Sequence, residues 1–191
     1  MRKIGRQVAA LGVLAGVTLL ATAPSAFAQG TQSPEGIGIE ATGLIPVPAT
    51  PNATSSDPDP ASVASVGVAG ILTADAVYAK VNGNTTTAGV AGISALSILS
   101  LGISANAISS TCTANANGTF TESASIADLE VLGLHVPLNP APNTTLSIPG
   151  LITVILNQQV AGPTSGSKTV TAVVLELPLG EDIDIASSTC G

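Results

Sequence analysis

The chain has 191 residues, and its charge and aromatic content exclude several classes of protein. Twelve acidic residues face five basic ones, giving a formal net charge of −7. Such a chain cannot assemble the basic patch needed to bind nucleic acid or an anionic membrane surface. With one Tyr, two Phe and no Trp, it also has few of the aromatic faces on which sugar-binding grooves and protein hot spots depend.

The N-terminus has the three parts of a secretory signal peptide. Three basic residues lie within the first six positions, an apolar run covers 8–23, and an Ala-Phe-Ala triplet ends at Ala28. An uncleaved anchor is the alternative, but the apolar run is short for a membrane span. We therefore predict a helical signal peptide over 1–28, cleaved between Ala28 and Gln29.

Cleavage would change the charge more than the length. It leaves 163 residues, enough for one domain with a real core. Lys80 and Lys168 then face twelve carboxylates, a net charge of −10. We expect this mature chain to be secreted or associated with the cell wall, with no membrane insertion. Its expected partners are cell-wall components or other surface proteins.

The mature chain is predicted to form one β-rich domain. Residues 29–36 are expected to be a flexible N-terminus, and the domain to cover 37–191. Its apolar residues are mainly Val, Ile, Leu and Ala, and the β-branched ones favour pleated sheet. The segment 46–61 contains five prolines and is predicted to be a surface loop, because proline cannot donate to a β-ladder.

The spacing of apolar residues and turn signals predicts an antiparallel β-sandwich. Hairpin turns are indicated at 82–84 and 115–118, each of which contains an Asn-Gly step. A helix over 91–107 is an alternative that its Gly and Ile residues disfavour, and a β-solenoid is the alternative fold. The predicted strands are 37–45, 64–70, 71–81, 86–111 with a break near Gly102, 119–134, 146–148, 151–156, 169–177 and 183–189.

Cys112 and Cys190 are the two cysteines of the chain, and each ends a similar Ser-Ser-Thr-Cys segment. In an exported protein the simplest expectation is one disulfide between them. Intermolecular pairing and free thiols are the alternatives.

Three groups of residues could carry chemistry, and each has a plainer interpretation. Ser165 and Lys168 match the S-x-x-K motif of penicillin-recognising enzymes, but the partner motifs are missing and a polar hairpin turn is expected instead. His135 is the lone histidine and has no G-x-S-x-G segment to accompany it in a hydrolase. Asp182 and Asp184 would share one face of a strand and are weak candidates for calcium, although a solvated acidic edge is the simpler interpretation. We predict no catalytic residues and no required cofactor.

Several stretches resemble the choice-of-anchor P proteins, which are exported by actinobacteria and have no known activity. The stretches are LTADAV at 72–77, PAPNTTLSIPG at 140–150, VILNQQ at 154–159, TVTAVVLEL at 169–177 and DIASS at 184–188. The resemblance implies an exported, surface-associated β-domain and carries no catalytic residue across. Some members of the family bear a C-terminal anchor, whereas this sequence ends without an apolar tail.

These observations together predict a non-enzymatic structural or adhesive domain outside the cell. An extracellular module that binds calcium or a glycan is the alternative, and a secreted hydrolase is the third.

Overall fold

The structure is a computed structural model, and it is all-β. It describes residues 34–43, 45–55, 60–68, 72–95, 102–136, 139–178 and 180–191. The predicted signal peptide and its cleavage site lie outside these residues. Within them there is no helix, and therefore none that could cross a membrane.

In the part of the chain that the structure describes, thirteen strands form two antiparallel sheets. Sheet A, in spatial order, consists of β10 (Thr144–Ile148), β11 (Ile152–Ala161), β12 (Lys168–Leu177), β13 (Glu181–Cys190), β1 (Glu35–Thr42) and β2 (Val47–Thr54). Sheet B consists of β3 (Ala61–Val68), β4 (Leu72–Asn82), β5 (Thr85–Ala95) and β6 (Ile103–Ala114), followed by β7 (Phe120–Ala127), β8 (Glu130–Val131) and β9 (Leu134–His135). Both β7 and β8 pair with β6.

The two sheets pack face to face around one aliphatic core. The strands β13 and β12 of sheet A lie over β5, β6 and β7 of sheet B, and β1 and β2 lie over β4. Val, Ile, Leu and Ala make up the main buried cluster, because burying their side chains removes apolar surface from water. The predicted antiparallel sandwich is confirmed, and the solenoid alternative is wrong.

The sandwich has two distinct ends. Cys112, Cys190 and the β4–β5 turn lie at one, which we call the disulfide end. The beginnings of β6 and β13 lie at the other, which we call the loop end. The turn between β8 and β9 and the turn between β10 and β11 are both at the loop end.

Most strand predictions are confirmed, with shifted boundaries. The two Asn-Gly turn signals do separate strands, as hairpin chemistry requires. The strand expected over 86–111, with a break near Gly102, is two separate strands, β5 and β6, and β6 begins directly after Gly102. The alternating run over 119–134 is three strands, β7 to β9. The helical alternative over 91–107 is wrong wherever that range is described, namely 91–95 and 102–107.

Two predicted irregular segments contain strand. Within the predicted loop 46–61, β2 is a strand paired with β1, with a shift of register between Ile39 and Ala41. Its prolines are tolerated because β2 is an edge strand of sheet A, where a residue without an N–H can face away from the ladder. The predicted flexible segment 29–36 also ends too late, since β1 already begins at Glu35 and pairs on both sides.

The alternation of buried and exposed side chains changes phase within several strands. In β4 every second residue is buried up to Ala74, but the next buried residue is Val77, and the alternation continues from there. The same shift occurs in β5, β6 and β13. In three of these strands it coincides with a residue of positive φ: Ala76, Gly92 or Ala186. One left-handed residue turns the rest of the strand over, so both halves of the strand can face the core.

Gly38 lies between Ile37 and Ile39, whose partners on β13 are Ser187 and Ile185, and it touches the other sheet. A Cβ at this position would meet Val77 of β4 and would lie 2.7 Å from Pro51 Cδ and 2.8 Å from the Thr50 carbonyl oxygen. We expect Gly38→Ala to lower the free energy of unfolding by about 2–3 kcal/mol, because overpacking at a backbone contact cannot relax cheaply. Urea unfolding followed by far-UV circular dichroism would measure it.

Gly67 of β3 provides the matched control. A Cβ there would have its nearest neighbours at 3.8 and 3.9 Å, which are ordinary contact distances. Gly67→Ala should therefore change stability by less than about 0.5 kcal/mol. Equal effects of the two substitutions would contradict the close approach at Gly38.

Candidate functional site

The predicted disulfide joins the two sheets. Cys112 on β6 and Cys190 on β13 are bonded, with their Cα atoms 5.6 Å apart, and both are fully buried. Val170, Ala114 and Phe120 pack around them in a small cluster separate from the main core. Two residues before each cysteine, the buried hydroxyls of Ser110 and Ser188 share a 2.7 Å hydrogen bond across the same interface between the sheets. This end of the sandwich is therefore fixed by a covalent bond and a polar contact.

The residues of the S-x-x-K match lie at the turn between β11 and β12. Ser165 is exposed, and Lys168 is the first residue of β12. The hydroxyl of Ser167 donates to the Thr164 carbonyl at 2.9 Å and closes the turn. The match is thus built into a strand connection and not into the start of a helix, where that motif operates.

Glu122 of β7 lies near Lys168 at the disulfide end. Burial raises the pKa of its carboxyl, and the charge of Lys168 opposes that rise. Its Oε1 atom is buried and has no partner within the described residues.

The acidic residues near the start of β13 lie on the outer face of sheet A. Asp184 is paired with Glu40 of β1, and Asp182 is paired with Glu176 of β12. Ile183, between the two aspartates, points into the core. As expected from the alternation of a strand, the two aspartates share one face.

Asp184 is the most perturbed of these carboxyl groups. Burial, the charge of Glu40 and the charge of Asp182, in that order, raise its pKa from 3.8 to about 6. Val174, directly across on β12, is itself buried and contributes to an apolar surrounding. Within the described ranges, no three His, Cys, Asp or Glu side chains are placed so that they could hold a metal ion.

Glu181 faces away from this acidic row, at the loop end of the core. It is 5% exposed, and its Oε2 accepts a hydrogen bond from the N–H of Ile45 at 3.1 Å. Its Oε1 has no partner in the described part of the chain. The contact fixes the connection between β1 and β2.

A cleft of about 550 Å³ opens near the loop end, at one lateral edge of the sandwich. Sheet B ends there in the short hairpin β8–β9, whereas sheet A continues to β10. Because the two edges do not meet, a gap remains between them. Its floor is aliphatic and includes the buried residues Val131, Pro140 and Leu156.

Polar side chains line the cleft beside this floor. His135, Asn139, Thr144 and Ser147 are among the lining residues. His135 is exposed and lies opposite Glu130 in the pairing of β8 with β9. The Ser147 hydroxyl is 3.5 Å from the hydroxyl of Thr153, its partner within the described residues. The cleft thus brings the predicted candidate His135 beside an apolar cavity.

Large exposed apolar side chains concentrate around this cleft. Leu134, which is 70% exposed, and Leu146, which is 37% exposed, line it directly. Leu132 and Leu151 occupy the neighbouring hairpin turns and are also exposed. The remaining exposed large apolar side chains of the described residues are Tyr78 and Val160, on other strands.

The sequence prediction did not identify this cleft. Its lining comes from three segments, 131–136, 139–148 and Leu156, which only the sheet topology brings together. The available signal was the pair Leu132 and Leu134, which flanks Gly133 at a turn where polar residues are usual.

Comparisons with protein-family models, curated proteins and solved structures found no match. The resemblance to the choice-of-anchor P proteins therefore stays a prediction.

Proposed function

We propose that this chain is an exported, non-enzymatic domain with a structural or adhesive role in the cell envelope. The observation that carries the proposal is the disulfide that joins the two sheets. Disulfides persist in oxidising compartments outside the cytosol, where a stapled sandwich resists unfolding and proteolysis. The signal-like sequence over 1–28 supports the same compartment.

The acidic, aromatic-poor surface suits this role better than a catalytic one. The residues that the sequence offered for chemistry lie apart, with Ser165 in a turn at the disulfide end and His135 in the lateral cleft. We propose cell-wall components or other surface proteins as partners. The strongly negative mature chain would be repelled by nucleic acids and by anionic lipid surfaces.

Fractionation of the native culture into medium, cell wall, membrane and cytoplasm tests the proposal. We expect the protein in the medium or the wall, with Gln29 as its first residue by mass spectrometry of the intact chain. Binding of the purified protein to isolated cell walls would separate wall attachment from simple release. Uncleaved protein in the cytoplasm would contradict the proposal. So would a hydrolytic activity that is lost in His135→Ala.

A further inference from the structure

We propose that the lateral cleft binds the aliphatic chain of an uncharged amphiphile. The cleft volume of about 550 Å³ lies within the roughly 300–1,000 Å³ range of small-molecule sites. The proposal adds a binding function to the structural role and does not depend on it.

The floor of the cleft determines the chemical class of the ligand. Val131, Leu156 and Pro140 are buried beneath it, and Val136 and Ile148 are half-buried in its walls. No Phe, Tyr or Trp lies among the described lining residues, so the cleft lacks the broad aromatic faces on which a sugar or a base stacks. A flexible saturated chain can follow such an irregular aliphatic surface and gain dispersion contacts along its length.

The exposed leucines provide a separate reason for a ligand. Leu134 and Leu146 leave apolar surface in water at the cleft, although most other large apolar side chains of the described residues are buried or half-buried. An apolar chain placed between them would remove this surface from water, at about 25 cal/mol per Å². Concentrated exposure of this kind is typical of binding sites, whereas single exposed apolar residues are ordinary.

The surrounding charges favour a head group without charge. The described lining residues include no Asp, Glu, Lys or Arg, and the one ionisable side chain among them, His135, is paired with Glu130 in the β8–β9 hairpin. The chain carries a formal net charge of −7, which repels anionic head groups. Asn139, Thr144 and Ser147 supply neutral donors and acceptors that suit hydroxyl or amide groups.

Decyl maltoside, below its critical micelle concentration, is a suitable neutral probe. We expect saturable binding by calorimetry, together with shifts of the methyl signals of Leu134, Leu146 and Leu156 in NMR spectra. Decanoate and decyltrimethylammonium test the head group and should bind more weakly, because the net negative charge of the chain repels the first and no described lining carboxylate can pair with the second. Neutral phosphatidylcholine vesicles distinguish a free amphiphile from a bilayer surface, and they should not retain the protein.

Two variants test the location. Leu134→Ser combined with Leu146→Ser should weaken binding at least about tenfold, because most of the apolar contact is lost. Ala141→Trp, at an exposed lining position, should block the cleft without disturbing the core. Val160→Ser removes an apolar side chain on β11, outside the cleft, that is about as exposed as Leu146, and it should leave affinity unchanged.

Several results would overturn the proposal. These are absence of binding by the wild type, unchanged affinity in the cleft variants, equal or tighter binding of a charged probe, and retention by vesicles alone.

Discussion

Loss of the Cys112–Cys190 disulfide is expected to lower the free energy of unfolding by about 4–5 kcal/mol. The bond closes a loop with a sequence separation of 78, and restricting a loop of this length in the unfolded chain has an entropic effect of about that size. The loss is a large fraction of the roughly 5–15 kcal/mol that stabilises a typical domain. Urea unfolding of oxidised and fully reduced wild-type protein would measure it.

The reduced wild type keeps both cysteine side chains and therefore isolates the effect of the cross-link. The double variant Cys112→Ala with Cys190→Ala should lose somewhat more stability, since it also leaves a small cavity beside Val170 and Phe120. The denaturant dependence should become steeper without the bond, because the unfolded chain expands. Identical unfolding curves with and without reductant would contradict an intramolecular disulfide.

The position of the bond adds a second expectation. Ser110 and Ser188 also connect the sheets at this end. Within the described residues, no disulfide links the sheets at the loop end. Hydrogen exchange should therefore be slowest around β6 and β13 near the bond. After reduction, protection should fall most at that end, because the two sheets can then separate there.

Much of the fold could be predicted from the sequence because it depends on local signals. The Asn-Gly turns fix two hairpins, and the paired Ser-Ser-Thr-Cys segments anticipate two strands that meet across the core. The phase changes could not be predicted in the same way. Ala76 and Ala186 adopt positive φ inside strands, although alanine gives no local signal for that conformation.

The edge strand β2 and the cleft show a different limit. Pro48 and Pro51 indicate a loop locally, yet pairing with β1 stabilises β2 as an edge strand. The cleft depends on where sheet B stops and sheet A continues, which is a property of the assembled sandwich. The disulfide was predictable because an exported chain with two cysteines has only one possible intramolecular pairing.

Asp184 is expected to make the protein less stable at neutral pH than at mildly acidic pH. Its pKa is about 6 in the folded chain and 3.8 as the ordinary value. Because the folded state binds the proton more tightly, the free energy of unfolding falls as pH rises between about 4 and 6. Above that range the ionised carboxylate costs about 2–3 kcal/mol, since one pKa unit corresponds to about 1.4 kcal/mol.

Asp184→Asn should remove this cost, because the amide stays neutral at every pH in the range. We expect the variant to be more stable than the wild type by about 2 kcal/mol at pH 7 and nearly equal to it at pH 4. Glu176→Gln is the matched control, since it changes the net charge equally at an exposed position of the neighbouring strand. Its effect should stay within about 0.5 kcal/mol.

The neighbouring charges provide a test of the cause. Glu40→Gln should lower the pKa of Asp184, and Asp182→Asn should lower it less, because Glu40 is the larger of the two charge effects. The carboxyl carbon signal of Asp184, followed by NMR between pH 3 and 8, would report each value directly. If neither substitution moved the titration, burial alone would hold the pKa up. If the wild-type signal titrated near 4, the expected slope of stability with pH would have no source in this residue.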